Sequence, residues 1–423
     1  RYRGGTAKVA VVGSGLMGMI SGSSVANVAG VGSIAIPLMK QTGYSADDAG
    51  AIEAVSASGG LIMPPVMGAA AFIMAENLSL PYSTIILAAA LPATLYYMAI
   101  LFSVDFIAGR QGLVGMPKEQ LPKFKDVMKV GYLYIIPMLT LIYFICIAKT
   151  SAQRAAFWGF VSMVVLYAIQ KIGKEKDIHG FAKMFLDILI DGSRQAISIV
   201  AACACAGIIV GVISLTGLGL TLSSALVDLA GGSLFLLLVY TAIACIILGM
   251  GLPVTACYII LAVLAAPAII KLGVPAIAAH LFVMYYGVLS NITPPVALAS
   301  YVAAGISKSK PLNVAVTSCK MSVVLFVLPF MFVYQPVLIL QDVQLITLIS
   351  ALVTSVIGVI AISGGTQRYF LQKASLTECS LLLIGGFCML YPESITDVIG
   401  IVLFAVVLLL QLRKKKSAQR TKV

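Results

Sequence analysis

Four short clusters in this sequence set hydroxyl, amide and glycine residues inside otherwise apolar runs. They are Ser21-Gly22-Ser23-Ser24; Ser56-Ala57-Ser58-Gly59-Gly60, closing on Pro64-Pro65; Gly249-Met250-Gly251-Leu252-Pro253; and Ser290-Asn291-Ile292-Thr293-Pro294-Pro295. A helix interrupted in an apolar medium leaves carbonyls without donors at one half-end and N–H groups without acceptors at the other, and both are costly unless something polar meets them. Carbonyl oxygens and short hydroxyls make a hard oxygen shell suited to sodium, while half-helix N-termini carry partial positive charge suited to a carboxylate. The expected chemistry is two cation sites with an anionic substrate between them.

For the first cation site the candidates are Ser23, Ser24, Ser56, Ser58 and Gly60; for the second, Gly251, Thr255, Ser290, Asn291 and Thr293. Asn27, Ser24, Thr255 and Asn291 are the candidates for substrate contact, with a hydrogen bond across its own hairpin an equal reading for Asn27. A serine or threonine in an apolar helix also commonly returns its hydroxyl to a carbonyl of the preceding turn. Pro64, Pro65, Pro294 and Pro295 remove backbone donors and disfavour helical geometry in the residue before them, so they shape the breaks rather than bind. His280 on an apolar stretch reads as a satisfied interior residue, Lys320 and Arg194 as snorkelling to an interface, and Ser45 with Asp48 as a capping box. Glu53, a turn further on, is expected to face the cytoplasmic interface.

The elements that must position these residues are membrane helices. Of 423 residues, 60% are hydrophobic and only 10% charged, against about 25% charged in a soluble domain. Apolar runs at residues 84–108, 130–148, 155–172, 195–216, 343–363 and 394–411 are each long enough to cross a hydrocarbon core as a helix. The net charge of +12 lies in short loops rather than on one face of a soluble domain, so it argues for membrane topology and not for nucleic acid. With residues 110–129 cytoplasmic, alternation of the spans puts residues 171–183, Lys308, Lys310, Arg368, Lys373 and the tail from Arg413 to Lys416 on the same side. Lys149, Arg154 and Lys271 fall outside. The C-terminus is then cytoplasmic. Cys146, Cys203, Cys205, Cys245 and Cys257 lie within apolar runs and read as small hydrophobes rather than disulfide partners.

The four clusters form two pairs. Gly22 precedes Pro64 by 42 residues and Gly251 precedes Pro294 by 43, so two halves, offset by about 230 residues, keep both the kind of break and its spacing. Residues 1–110 form a first element (hairpin 9–39, broken helix 46–77, span 84–108) and residues 233–335 a second (hairpin 233–272, broken helix 275–305, span 311–334). Between them, 111–232 holds scaffold spans and an amphipathic interfacial stretch at 178–194. Residues 336–423 add about three further spans and a basic tail. Arg1, Arg3, Lys8 and Lys40 put the base of the first hairpin on the cytoplasmic side, whereas the span count puts both ends of 233–272 outside. Two re-entrant hairpins and two broken helices in oppositely oriented halves are the sequence sign of an inverted-repeat carrier with its site near the midplane.

Other classes fit less well. There is no G-x-x-x-x-G-K-[ST] sequence for a nucleotide-driven pump. An intramembrane hydrolase needs a serine with a base, or paired aspartates at depth. His179 and His280 are the two available imidazoles, and no apolar span carries two aspartates. A selective channel also uses broken helices, and turnover rate separates it from a carrier.

The stretches 18–27, 56–65, 249–255 and 290–295 resemble those of the large membrane subunit of tripartite ATP-independent periplasmic (TRAP) transporters, over roughly residues 4–335. Asn27 stands where many members carry aspartate. With Gly-Leu-Pro-Val-Thr in the second hairpin and the extra C-terminal spans, this is similar to the fused-permease branch paired with TAXI-type binding proteins. The resemblance implies an elevator mechanism in a bacterial inner membrane and sodium as coupling ion. It also implies a TAXI-type periplasmic solute-binding protein and a small-membrane-subunit equivalent, fused upstream or separate. C4-dicarboxylates, 2-oxoglutarate or glutamate are admissible substrates, and proton coupling stays open. On the same resemblance the chain reads as truncated before Arg1. A stand-alone sodium- or proton-coupled carboxylate carrier is the alternative.

Overall fold

A computed structural model describes residues 2–115, 131, 135–174, 177–391 and 394–420. Most of the expected loop 110–129, and residues 130 and 132–134 of the expected span 130–148, lie outside them. The described chain is built of helices, joined by one isolated bridge between Tyr369 and Lys373. Among the described residues six helices are long and apolar enough to cross a membrane, or seven if one bent pair counts as a single span. The chain is therefore a polytopic helical membrane protein.

The first element opens with α1 (Gly5–Ser21), α2 (Ser24–Gly30) and α3 (Gly32–Gln41), which form a hairpin. Its tip is made by Gly22, at φ 64, and by Ser23, whose hydroxyl accepts from the Ala26 N–H to start α2. A left-handed residue ends a helix at least cost when it is glycine. Next come α4 (Ala46–Gly59), a short 3-10 turn at Gly60–Ile62, an irregular stretch, and α5 (Ala69–Asn77). At 1.5 Å per residue, α4 reaches about 21 Å and α5 about 14 Å, so neither spans a 30 Å core alone. A full span, α6 (Tyr82–Gln111), closes the element.

The scaffold holds α7 (Ile135–Ile147), α8 (Ala152–Ala168) and α9 (Ile178–Thr216). Here the structure corrects the expectation of a separate interfacial helix. The charged stretch 178–194 and the apolar stretch 195–216 are one continuous 39-residue helix, because no glycine pair or proline separates them. Arg194 is exposed on it, 4.0 Å from Asp191. Cys205 is also exposed there, whereas Cys245 and Cys257 are buried; all eight cysteines are free.

After α10 (Leu218–Leu229), the second element repeats the first. The hairpin is α11 (Leu234–Gly249), α12 (Val254–Leu264) and α13 (Ala266–Lys271). The broken helix is α14 (Ala276–Leu289) and α15 (Leu298–Ser307), followed by α16 (Pro311–Met321) and α17 (Val323–Tyr334). The last two, expected as one span over 311–334, meet at a 42° bend at Ser322. Three helices complete the chain: α18 (Leu345–Gln367), α19 (Leu376–Cys388) and α20 (Ser394–Arg420). They pack in sequence, and α18 lies against α6. Glu378, 2% exposed, fills the capping box of α19 and is paired with Lys414 at 2.7 Å.

The halves interlock. The interface of α5 with α12 matches that of α15 with α2, so each broken helix lays its second half on the other element's hairpin. Broken helix 276–307 starts at the base of the second hairpin and ends beside the base of the first. There Lys40 donates to the Ser307 carbonyl at 2.7 Å and Ser309 donates to Asp47. The hairpin bases thus lie at opposite ends of this helix pair.

Candidate functional site

In the first element, the break sits a turn later than the residues alone suggested. Helix α4 continues through Ser56 and Ser58, whose hydroxyls donate to the carbonyls of Ile52 (2.6 Å) and Ala54 (2.9 Å). Two residues of an α-helix separated by one other point about 200° apart. The structure therefore does not bring Ser56 and Ser58 to one face, and their hydroxyls serve the helix. The chain leaves helical geometry after Ile62 and regains it at Ala69, across Pro64-Pro65, which are joined by a cis bond. Of the other first-site candidates, Gly60 packs backbone to backbone against Gly18 of α1. A Cβ added at Gly60 would sit 2.5 Å from the Gly18 Cα. Ser23 and Ser24 lie at the hairpin tip.

Tyrosines from α6 hold the end of α4. The Tyr96 hydroxyl donates to the Val55 carbonyl at 2.9 Å and the Tyr97 hydroxyl to the Ser56 carbonyl at 3.0 Å. The second of these meets a carbonyl in the last turn, where intrahelical partners run out.

Between α1 and α4 lies a buried polar chain. The Asn27 amide donates to the Ser14 carbonyl at 2.7 Å, and the Ser14 hydroxyl donates to Glu53 Oε1. Asn27 thus makes the cross-hairpin bond, one of the two readings held open for it. Glu53 is 0% exposed, which overturns its expected place at an interface. Helix periodicity turns it toward α1, and Ser14 and Gly18, four apart, give α4 the small-residue face it packs on. Two acceptors of this chain, Asn27 Oδ1 and Glu53 Oε2, are buried without a partner. Asp48 was read as the other half of a capping box. Ser45 does accept from the Asp48 N–H at 3.0 Å, but the Asp48 carboxylate takes the Ser45 hydroxyl and Gln111 instead of returning to the cap.

The second element keeps its break where the residues place it. Met250 to Pro253 part α11 from α12, with Gly251 at φ 81, and residues 290–297 part α14 from α15. Ser290 joins the two, since its hydroxyl lies 3.1 Å from the Gly249 carbonyl and 2.8 Å from that of Gly287. Offset by 231 residues, Gly18 corresponds to Gly249, so a Gly18–Gly60 contact in one half answers a Gly249–Ser290 contact in the other. Thr293 donates to the Leu289 carbonyl at 2.7 Å. Asn291 is 5% exposed and its backbone carbonyl accepts from the Ala299 N–H across the break at 3.0 Å. Pro294-Pro295, like Pro64-Pro65, is joined by a cis bond.

Ser24 and Thr255 occupy matching first turns of the hairpins' second arms. Both are buried, and neither hydroxyl has a hydrogen-bond partner among the described residues. Lys320 is exposed, and His280 is satisfied internally, with its Nδ1 2.7 Å from the Tyr258 hydroxyl. The two breaks abut, because α14 touches the Gly60–Ile62 turn. The oxygens they present are hydroxyl, amide and backbone carbonyl, a set that suits a hard monovalent cation; the Cys257 and Cys319 thiols lie beside the second break, the latter 3.6 Å from the Ile292 carbonyl. Ser23, Ser24 and Gly60 on one side, and Gly251, Thr255, Asn291 and Thr293 on the other, are the residues that could hold such a cation; hydroxyls already given to a carbonyl, as in Thr293, Ser56, Ser58 and Ser290, keep lone pairs for it.

No role was expected for Ser14, Gly18 or Tyr97, and Glu53 was expected at an interface rather than here. The spacing of Ser14 and Gly18 was the available signal, and a carboxyl amid Ala49 to Ser58, outside any cap, was the other.

Residues 1–346 match the family model for the DctM component of the tripartite ATP-independent periplasmic transporter. Over 354 residues the chain is 24% identical to the C4-dicarboxylate TRAP transporter large permease protein DctM of Vibrio cholerae, covering 79% of this chain and 76% of that one. Over 309 residues it is 24% identical to the 2,3-diketo-L-gulonate TRAP transporter large permease protein YiaN of Escherichia coli, covering 73% and 70%. Over 296 residues it is 22% identical to the isethionate TRAP transporter permease protein DctMQ of Oleidesulfovibrio alaskensis, covering 69% of this chain and 45% of that longer one.

Proposed function

Because this chain belongs to the DctM component family of tripartite ATP-independent periplasmic transporters, we propose that it is the translocating membrane subunit of a sodium-coupled importer of small organic anions. The observation that carries this reading is the pairing of two interrupted helices, each laid on the other element's hairpin, with backbone that leaves helical geometry on both sides of their contact. Sodium at the oxygens of Ser23, Ser24 and Gly60, and at those of Gly251, Thr255, Asn291 and Thr293, would neutralise carbonyl ends that lipid cannot satisfy. The N-terminus of α12 offers partial positive charge to a substrate carboxylate. Thr255 and Asn291 flank it, and Ser24 adds a hydroxyl from the opposite break. Related permeases are named for C4-dicarboxylate, 2,3-diketo-L-gulonate and isethionate, and all three are small anions. C4-dicarboxylates, 2-oxoglutarate and glutamate are the proposed class here.

The two hairpin elements move as a unit against α6, α8 and α9, in an elevator cycle across a bacterial inner membrane, with the C-terminus cytoplasmic. A TAXI-type periplasmic binding protein delivers the substrate, and a small membrane subunit, fused or separate, completes the scaffold. A fused arrangement has a precedent in the DctMQ name of one relative.

The test is uptake of radiolabelled succinate, 2-oxoglutarate and glutamate into proteoliposomes holding the full-length protein and its binding protein. An inward sodium gradient is expected to raise uptake by at least about tenfold, the effect of 1.4 kcal/mol of driving force. Uptake unchanged when the gradient is collapsed would remove sodium coupling. Equal uptake without the binding protein would favour a stand-alone carrier.

A further inference from the structure

The polar chain between α1 and α4 has no task in the reading above. Its acceptors outnumber its donors: Asn27 gives one N–H to the Ser14 carbonyl and Ser14 gives its hydroxyl to Glu53 Oε1, leaving Asn27 Oδ1 and Glu53 Oε2 buried with nothing to accept. Buried polar atoms are nearly always paired, and two orphaned acceptors on residues that both bond Ser14 mark a missing donor. As an ionised group, Glu53 would be a charge at 0% exposure held by one neutral hydroxyl, which is costly unless a cation pairs with it.

The elements packed on α4 supply none among the described residues. Lys8 of α1 is 2.6 Å from Asp105 of α6, Arg110 of α6 donates to the Gln367 carbonyl at 3.3 Å, Lys40 of α3 is given to the Ser307 carbonyl, and Lys320 of α16 is exposed. Tyr96 and Tyr97 of α6 donate to the Val55 and Ser56 carbonyls, His280 of α14 meets Tyr258, Tyr286 of α14 donates to the Phe326 carbonyl, and Tyr301 of α15 donates to the Pro295 carbonyl; the buried Tyr285 hydroxyl of α14 has no partner among the described residues and, being neutral, supplies no cation. Helix α2 has no titratable side chain. With a proton on Oε2 the buried charge is gone, and the carboxyl gains an O–H donor in a chain that is short of donors.

We propose that Glu53 is a proton carrier of the first transport element, taking one proton from water on the outer side and releasing it on the inner side in each cycle. The step makes and breaks a single O–H bond on the carboxyl; no other bond changes. Because α1, α2 and α4 belong to one element, the proton travels with the hairpin that carries Asn27. This rests on the transport reading above and adds a proton to its coupling ions.

The experiment uses the full-length protein with its binding protein in proteoliposomes at fixed sodium and zero membrane potential. Labelled succinate, 2-oxoglutarate and glutamate are supplied, and an internal pH dye reads proton movement. For whichever anion is carried, an acid-outside gradient of one pH unit is expected to raise accumulation by about tenfold, with acidification inside that depends on substrate. Glu53→Gln, which keeps the shape but cannot exchange a proton, is expected to lose the response to the gradient, whereas Glu53→Asp keeps a response. Sodium-driven uptake in the wild type with no substrate-dependent proton movement overturns the proposal even if Glu53→Gln does not fold, and leaves the transport reading standing. An unaltered gradient response in Glu53→Gln also overturns it. No uptake under any combination of gradients overturns both readings.

Discussion

Gly60→Ala is expected to abolish transport and to cost the protein more than any other single methyl group placed at the breaks. The added Cβ would lie 2.5 Å from the Gly18 Cα, 2.8 Å from its carbonyl carbon and 2.9 Å from the Met19 nitrogen, all of them backbone. No side-chain rotation relieves such a contact, so α1 must separate from the end of α4. Overpacking of this kind costs about 1–3 kcal/mol. Here it also opens the seam that holds the Ser14–Glu53 bond. Gly249→Ala is the internal control. Its Cβ would meet the Ser290 Oγ at 2.6 Å, the Ser290 Cβ at 2.9 Å and the Cys257 Sγ at 3.0 Å; the hydroxyl and the thiol can turn away, which leaves one rigid contact against the backbone contacts at Gly60. Thermal unfolding in detergent and uptake in vesicles should rank Gly60→Ala well below Gly249→Ala. An equal loss in the two variants would mean that the Gly18–Gly60 contact is looser than the structure has it.

Asn27→Asp should be nearly as damaging despite its small change in shape. It deletes the N–H that the Ser14 carbonyl accepts at 2.7 Å and sets a second carboxyl on the serine that already serves Glu53. An unpaired buried acceptor costs about 1–3 kcal/mol, and two carboxyls sharing a site raise the cost of ionising either one. Stability is therefore expected to fall by about 2 kcal/mol or more at neutral pH, read as a lowered unfolding temperature. Adding Glu53→Gln to Asn27→Asp should recover at least about 1 kcal/mol of that loss, since residues in one network are not additive. If the double variant shows simple additivity, Asn27 and Glu53 do not share an environment.

Much of this was legible in the residues because lipid leaves few choices for backbone. Glycine at 22 and 251, and the paired prolines at 64–65 and 294–295, stop helices by local sterics alone, and all four interruptions lie near them. The first broken helix overran its expected stop because Ser56 and Ser58 can bond back to carbonyls a turn earlier, so small hydroxyls do not interrupt a helix unaided. Which way Glu53 points depends on the partner of α4, and pairing between α1 and α4 is a tertiary fact. A charged residue near a helix start is ordinarily at an interface; here Gly32, which leaves room for a glutamate stem 3.0 Å from where its own Cβ would be, and Ser14 made the interior available. The continuity of α9 was hidden for a related reason, since a change in polarity along a helix does not mark its end.

What matters most for a carrier is that its two hairpins open toward opposite sides. In the fold, the second broken helix leaves the base of one hairpin and ends at Ser307, against Lys40 at the base of the other. The most direct test is one-sided labelling of single cysteines placed at the exposed bases, Gln41→Cys and Lys271→Cys, with an impermeant maleimide. Right-side-out and inside-out vesicles would be compared over the labelling of the parent protein. Gln41→Cys should react from the cytoplasmic face and Lys271→Cys from the outer face. Reaction of both from one face would contradict the inverted arrangement and with it the account of transport.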